Sequence, residues 1–308
     1  MIKRILNFLK IDLILRWGKG KLEKTYFGKY KISLYRFLEI LHAKLNSDHI
    51  MEMSKSMAYS FVLSIFPAII FLFTLIPYVP IEHLDLAILE NLEKLLPRGI
   101  YEVAESTIFD IVARPQSGLL SFGFLFTIYA AINGIMAMIT VFNKCYKSKE
   151  NRSFIKRILI SVQILFLLVL CIVSSIALQV VVEYVLAKVN FYDQGQVVIL
   201  SIIRYLLPYT LLLVCISLIY YLAPVVTRRW RFFSLGSLVA ALLSMSFSVF
   251  FILYFNNFSS YNKVYGSIGA LIGLMLWIFS MSLILLLGFE INASLDIARN
   301  EKKKTISA

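Results

Sequence analysis

Hydrophobic residues in this chain are concentrated in six long blocks instead of alternating with polar positions. None of the blocks contains Lys, Arg, Asp or Glu. About 20 apolar residues in a helix span the hydrocarbon core of a bilayer, and lipid requires every backbone amide to be paired within its own segment. We therefore expect an all-α membrane protein with six transmembrane helices, at about residues 57–79, 119–142, 158–182, 205–223, 233–256 and 265–289.

The basic residues between these blocks predict how the chain is oriented. Of the 31 Lys and Arg residues, 25 lie in the four alternate segments 1–56, 143–157, 224–232 and 290–308, and six lie in the other three connectors. Basic residues accumulate in cytoplasmic loops. This alternation predicts an even number of spans with both termini in the cytoplasm. The expected organisation is an N-terminal cytoplasmic region (1–56), a transmembrane domain (57–290) and a basic cytoplasmic tail (291–308).

Composition agrees with a membrane protein and narrows the range of partners. The chain is 59% hydrophobic and only 16% charged, whereas soluble domains carry about a quarter charged residues. The net charge of +13 resides mainly in the connectors, so we interpret these basic residues as the ones that orient the chain in the membrane. We expect membrane lipids, not nucleic acid, as partners. The three cysteines form no CxxC pair, so neither a zinc site nor a disulfide framework follows.

Two segments outside the predicted spans have amphipathic patterns. Residues 33–56 place Leu and Phe at helical spacing with charged residues on the other faces, which predicts a cytoplasmic helix. It lies either on the membrane surface or against the helix bundle. The external segment 80–118 predicts two short helices broken at Pro97. These two helices would either form a lid over a cavity in the bundle or only pack against the bundle.

Several short motifs occur in a collinear order between residues 35 and 295. They are MAYSFVLSIFP at 57–67, LLP at 95–97, FNKCY at 142–146, RSF at 152–154, YYLAP at 220–224, NFSSYNKVYGSIGA at 257–270, LW at 276–277 and LGFEINA at 287–293. Together they resemble the YihY/BrkB family of bacterial inner-membrane proteins, once misnamed ribonuclease BN. The resemblance implies six membrane helices in the bacterial inner membrane and a role in export or envelope-lipid transport. Phe61 and Tyr221 depart from the family pattern, which commonly has Tyr and Arg there.

The residues required for catalysis are missing from the sequence pattern. The three histidines form no HxHxDH run, and neither a P-loop nor a GxSxG elbow occurs. The predicted topology also places His83 outside and His42 and His49 inside. We therefore expect no enzymatic activity, no metal and no cofactor, and specifically no ribonuclease.

Neutral polar residues in the spans are the candidates for a substrate pathway. Pro67 follows Tyr59 and Ser64 in the first span and either opens a cavity or is a tolerated kink. Asn133 in the second span either contacts substrate or bridges two helices. A predicted external turn between the last two spans is rich in donors and acceptors, which fit either a polar vestibule or an aromatic belt. Its candidate residues are Asn256, Asn257, Tyr261, Asn262, Tyr265 and Ser267.

Small residues four positions apart predict close helix packing in the last two spans. The pairs are Gly269 with Gly273 and Ser237 with Ala241.

As a function, we expect transport or export of an amphiphilic or lipid-like solute. The basic residues of the predicted cytoplasmic segments form a basic cytoplasmic collar, which would suit the solute if it is anionic. The alternative is a non-catalytic membrane scaffold for envelope assembly. Substrate, direction, energy source and oligomeric state do not follow from the sequence.

Overall fold

The computed structural model describes seven stretches of the chain. They are residues 26–27, 32–47, 49–75, 117–188, 194–226, 230–257 and 259–307. These stretches are helical, apart from short connections and one small pair of strands, which confirms the all-α prediction in its main feature. The elements are β1 (Tyr26–Phe27), β2 (Ile32–Ser33), α1 (Leu34–Ser47), α2 (Ile50–Leu75), α3 (Ser117–Tyr146), α4 (Phe154–Lys188), α5 (Gln194–Leu222), α6 (Leu235–Asn257) and α7 (Ser259–Ser307).

Four of these helices are long and apolar enough to cross a membrane. The segments are Ser121–Tyr146, Phe154–Ser175, Leu235–Tyr254 and Leu271–Glu301, and α5 contributes a shorter apolar stretch, Leu206–Leu222. The segment in α4 is only 11% buried despite a mean hydropathy of 2.7. So much exposed apolar surface is typical of a helix that faces lipid. The count of six crossings stays a prediction.

The range predicted as one amphipathic helix, 33–56, is divided between α1 (Leu34–Ser47) and the first turns of α2, which begins at Ile50. Helix α1 packs against protein. Phe37 is buried against Ala298 of α7, with several partly buried aliphatic residues of both helices around them. The Arg36 guanidinium adds hydrogen bonds to Glu301 at 3.1 and 3.2 Å. The structure therefore shows α1 packed on the last helix, and its position on the membrane surface stays a prediction.

The ends of α6 and α7 differ from the prediction. The connector expected between the last two spans is mostly helical, because α6 continues to Asn257 and α7 begins at Ser259. The expected tail at 291–308 also continues α7 as helix to Ser307. The external segment predicted at 80–118 lies almost entirely outside the described residues, so the lid and the packing alternatives stay predictions.

The chain divides into two compact units. The first comprises Met1–Lys55, Ile139–Met245 and Ser282–Ala308, and the second comprises Ser56–Met138 and Ser246–Met281. In the first unit, α4 and α5 pack along each other.

Helix α3 ends in a cap that depends on one strained residue. Lys147 has a φ of 57°. The Lys147 and Ser148 amides donate to the carbonyls of Lys144 and Asn143, both at 3.0 Å. This is the hydrogen-bond pattern of a Schellman cap, and it turns the chain sharply into the connection to α4.

Candidate functional site

A cavity of about 520 Å³ lies within the second unit, between α2 and α3. Its walls are mainly aliphatic and aromatic, and its few polar groups are neutral amides and hydroxyls. The lining includes Ser60, Leu63, Ser64, Pro67, Phe126, Tyr129 and Asn133. Concave, mostly apolar sites with a few fixed polar groups are typical of binding sites for small organic molecules.

The two helices approach closely because of a glycine and a serine. The Ser64 hydroxyl lies 2.7 Å from the Ala130 carbonyl of α3 and 2.9 Å from the Ser60 carbonyl of its own helix. A Cβ added at Gly134 would come within 3.0 Å of Ser64 Oγ. Because Gly134 has no side chain, α2 can pack against α3 at this level and still leave the neighbouring volume open.

Proline and aromatic residues shape the rest of the cavity. Pro67 has no N–H to donate to the carbonyl of Leu63, so an acceptor in this part of α2 lacks its usual helical partner. Phe126 stacks with Phe122 at a ring-centroid distance of 5.9 Å and with Tyr129 at 6.3 Å. These rings form an apolar wall beside the polar groups. Such a cavity can hold an apolar chain and hydrogen-bond to an uncharged polar group.

Three of the predicted substrate-pathway residues line this cavity. They are Ser64, Pro67 and Asn133, of which Pro67 is buried and Asn133 is exposed. Tyr59 lies on α2, is 64% exposed and does not line the cavity. Substrate contact by any of these residues stays a prediction.

The remaining predicted pathway residues lie in helices. Asn256 and Asn257 are the last residues of α6, and Tyr261, Asn262, Tyr265 and Ser267 lie in the first turns of α7. The surroundings of these side chains, and those of Gly269, lie outside the part of the structure that is described. Of the predicted packing residues, Ser237 and Ala241 are fully buried and Gly273 is buried.

The first unit contains a network of polar residues that joins the ends of three helices. Arg152 binds both carboxylate oxygens of Glu150, at 2.7 and 2.8 Å, and donates to the Ala223 carbonyl at 3.0 Å. Asn143 donates to Glu150 at 2.6 Å and accepts from the Val225 amide at 2.8 Å. The Arg152 guanidinium lowers the pKa of the Glu150 carboxyl below its ordinary value. This network therefore fixes the connection α3–α4 to the end of α5.

A buried ion pair lies in the same unit. Lys44 of α1 contacts Glu290 of α7, and their side chains are 9% and 0% exposed. The Lys44 ammonium also donates to the Cys145 carbonyl at 2.9 Å. It thereby joins α1, the end of α3 and α7.

Aromatic and amide contacts complete the first unit. Phe142 and Phe289 stack at 4.4 Å, and the Tyr220 hydroxyl donates to the Leu285 carbonyl at 2.6 Å. Asn292 accepts from the Gly236 amide and donates to the Ser234 hydroxyl, both at 2.8 Å. Four of the short motifs identified in the sequence therefore meet in space: FNKCY, RSF, YYLAP and LGFEINA.

Sequence reasoning missed the partners within this network. The sequence places Glu290 at the end of the last predicted span. In the structure it is fully buried and pairs with Lys44, 246 positions earlier in the chain. The recurrence of polar residues inside the motifs, such as Asn143 and Asn292, was the available signal. Within the described stretches, no group of three His, Cys, Asp or Glu residues could hold a metal ion.

Comparison with known proteins gives consistent matches over most of the chain. The model of the family described as "Virulence factor BrkB" matches residues 41–307. A Bacillus subtilis protein named "Putative ribonuclease-like protein YfkH" is 31% identical over 84% of this chain and 94% of its own length. A UPF0761 membrane protein of Psychromonas ingrahamii is 26% identical over 89% of this chain and 91% of that protein. No solved structure matches.

Proposed function

Because the chain belongs to the BrkB family of helical membrane proteins, we propose that it moves an amphiphilic or lipid-like solute across a bacterial inner membrane. The cavity between α2 and α3 is the observation that carries the proposal. It combines aliphatic and aromatic walls with Ser60, Ser64 and Asn133, and no charged residue is among the described residues that line it. An acyl chain can lie along such walls because its transfer from water is favourable, while a neutral polar group of the solute bonds to the hydroxyls and the amide.

The proposed topology has six spans with both termini in the cytoplasm. The biased distribution of Lys and Arg among the connectors supports it. A basic cytoplasmic collar attracts the anionic headgroups of lipids, so an anionic amphiphile is the solute class that we favour. Membrane lipids would be the partners, and nucleic acid would not.

A flux assay tests transport directly. The full chain is reconstituted in phosphatidylcholine liposomes, and movement of a fluorescent phosphatidylglycerol between leaflets is measured by dithionite quenching. We expect faster movement than in protein-free liposomes. Asn133→Leu should slow it about fivefold, which corresponds to one lost hydrogen bond of about 1 kcal/mol.

Gln163→Leu is the matched control. Gln163 is also an exposed amide on an apolar helix, but it lies on α4 and not at the cavity, so this variant should match the wild type. No movement of any membrane lipid or lipid precursor by a well-folded wild-type protein would refute transport and favour the scaffold alternative.

We further propose that the protein is not a nuclease, although one relative carries a ribonuclease-like name. The support is the sequence, which has three histidines and no HxHxDH run. Purified protein incubated with labelled RNA and Mg²⁺, Mn²⁺ or Zn²⁺ should leave the RNA intact. Cleavage that copurifies with the wild type and is lost on a buried-network substitution such as Glu290→Gln would contradict this.

A further inference from the structure

The hydrogen-bonding groups that α2 presents to the cavity between α2 and α3 share one polarity. Ser60, Leu63 and Ser64 all line this cavity. Their groups are two hydroxyls and one backbone carbonyl, and the contacts of each group decide whether it can donate to a ligand or only accept from one. The polarity of these groups therefore bears on which headgroup fits.

The proton of the Ser64 hydroxyl is already used within the protein. A hydroxyl has one proton and two lone pairs. Ser64 Oγ lies 2.7 Å from the Ala130 carbonyl oxygen and 2.9 Å from the Ser60 carbonyl oxygen. Both carbonyl oxygens can only accept, so the single proton points to one of them. Ser64 therefore offers a lone pair, not a proton, to a bound molecule.

The Ser60 hydroxyl has the same polarity. Its Oγ donates to the Ser56 carbonyl one turn earlier in α2, at 3.1 Å. This hydrogen bond to the carbonyl of residue i−4 is a common arrangement for a serine inside a helix. To donate to a ligand, Ser60 would have to break this bond, whereas accepting from a ligand keeps it.

Pro67 creates a third acceptor. A helical carbonyl normally accepts from the amide four residues later, and for Leu63 that residue is Pro67, which has no N–H. The proline ring also crowds this carbonyl and bends the helix away from it. Because Leu63 and Pro67 both line the cavity, the acceptor that lacks its usual amide lies at the cavity wall.

Tyr129 and Asn133 are the other polar residues among the described residues that line the cavity. A phenol hydroxyl and a carboxamide each contain both a donor and an acceptor, and both side chains are exposed. They can therefore turn to match a ligand of either kind. The two serines and the Leu63 carbonyl are held by α2 and are the groups that discriminate.

We propose that this cavity selects a solute whose headgroup donates hydrogen bonds, through a hydroxyl or an ammonium group, over a solute whose headgroup can only accept them. Ester carbonyls and phosphodiester oxygens only accept, so they gain nothing from the three acceptors. The inference rests on the proposed function for the role of the cavity. It concerns binding, so it can be tested whether or not a solute moves.

Calorimetric titration of the full-length protein in a non-ionic detergent measures this selectivity with two pairs of short-chain lipids. Dihexanoyl phosphatidylglycerol and dihexanoyl phosphatidylmethanol have the same charge, and only the first has headgroup hydroxyls. Dihexanoyl phosphatidylethanolamine has N–H donors, and dihexanoyl phosphatidylcholine has none. We expect the donor lipid to bind about fivefold more tightly in at least one pair, the factor for one hydrogen bond. The pair that discriminates identifies the donor as a hydroxyl or an ammonium group.

Two variants remove acceptors from the cavity. Ser60→Ala deletes a hydroxyl, and Pro67→Ala supplies the N–H that the Leu63 carbonyl lacks while keeping the helix. Each should lower the preference for the donor lipid at least about twofold. Pro208→Ala is the matched control, because Pro208 also lies inside an apolar helix, α5, and does not line the cavity. This variant should keep the wild-type preference.

The proposal is overturned if the wild type binds all four lipids equally or binds none of them. It is also overturned if both cavity variants keep the full preference, or if Pro208→Ala lowers the preference as much as they do. A donor preference without lipid movement in liposomes would refute transport alone. Lipid movement without a donor preference would refute only this inference.

Discussion

At the scale of single residues, the positions that tolerate the fewest side chains are those where the backbones of two helices are in contact. Gly236 of α6 lies directly against Gly288 of α7, and a Cβ built at Gly236 would overlap the Gly288 carbonyl oxygen and approach Asn292 to 2.7 Å. The predicted small-residue pair in α6 began one position later, at Ser237. The structure places the closest backbone contact at Gly236, and the role of the predicted pair in helix packing stays a prediction.

Substitution of Gly236 should therefore destabilise the protein. Gly236→Ala forces α6 and α7 apart or strains the Asn292 side chain, and overpacking of this kind costs about 1–3 kcal/mol. The readout is the thermal unfolding midpoint of the purified protein in detergent. Gly118→Ala is the control, because nothing lies within 4 Å of a Cβ at Gly118. Equal midpoints for the Gly236→Ala variant and the wild type would contradict the close approach.

A second prediction concerns the contribution of Glu150 to stability and its dependence on pH. Its pKa is lowered in the folded protein by the hydrogen bonds from Arg152. The folded state then binds fewer protons than the unfolded chain, so this carboxylate stabilises the fold above its ordinary pKa of 4.5. The stabilisation is lost as the pH falls through the lower value of the folded state.

Glu150→Gln should accordingly lower the free energy of unfolding by about 1–2 kcal/mol at pH 7. The difference from the wild type should shrink as the pH falls below 4.5, and it is measured by denaturant unfolding at a series of pH values. Glu39→Gln provides the comparison, because Glu39 pairs with Arg36 at an exposed position and such pairs contribute less than about 1 kcal/mol. A pH-independent difference for Glu150→Gln would show that charge is not the cause.

At the scale of secondary-structure elements, α1 is held to α7 by two ion pairs of different strength. Lys44–Glu290 is buried, whereas both members of Arg36–Glu301 are about half exposed. The hydrophobic spacing predicted α1 as an amphipathic helix, because periodicity is a local property. Its partner could not be predicted, since membrane surface and protein surface both accept an apolar helical face.

Removing one member of the buried pair should be more damaging than removing both. Lys44→Met or Glu290→Met alone removes the oppositely charged partner of a buried group and should cost about 3–5 kcal/mol, while the double variant should recover much of that loss. Unfolding free energies of the four proteins form a double-mutant cycle. Arg36→Gln, which removes the exposed pair, should cost less than about 1 kcal/mol. Additive effects of the two Met substitutions would exclude coupling between Lys44 and Glu290.

At the scale of the whole molecule, the membrane topology is the property to test. If the basic connectors are cytoplasmic, alkaline phosphatase fused after Ala308 should be inactive, and green fluorescent protein fused there should fluoresce. Alkaline phosphatase inserted at residues 189–193, in a connector predicted to be external, should be active. Phosphatase activity of the C-terminal fusion would overturn the predicted orientation. The matched control is an insertion at Lys149, in a predicted cytoplasmic connector, which should be inactive.

The sequence by itself determined that this is a helical membrane protein and where most of its helices lie. Both follow from the local density of apolar residues, because each segment partitions into a bilayer according to its own length and hydrophobicity. The family also follows from collinear short motifs. The tertiary structure decided which motifs meet, that Glu290 pairs with Lys44, that α1 packs on α7, and that a cavity lies between α2 and α3. Contacts between residues up to 265 positions apart depend on how each helix is rotated about its axis, and uniformly apolar helices carry no sequence signal for that rotation.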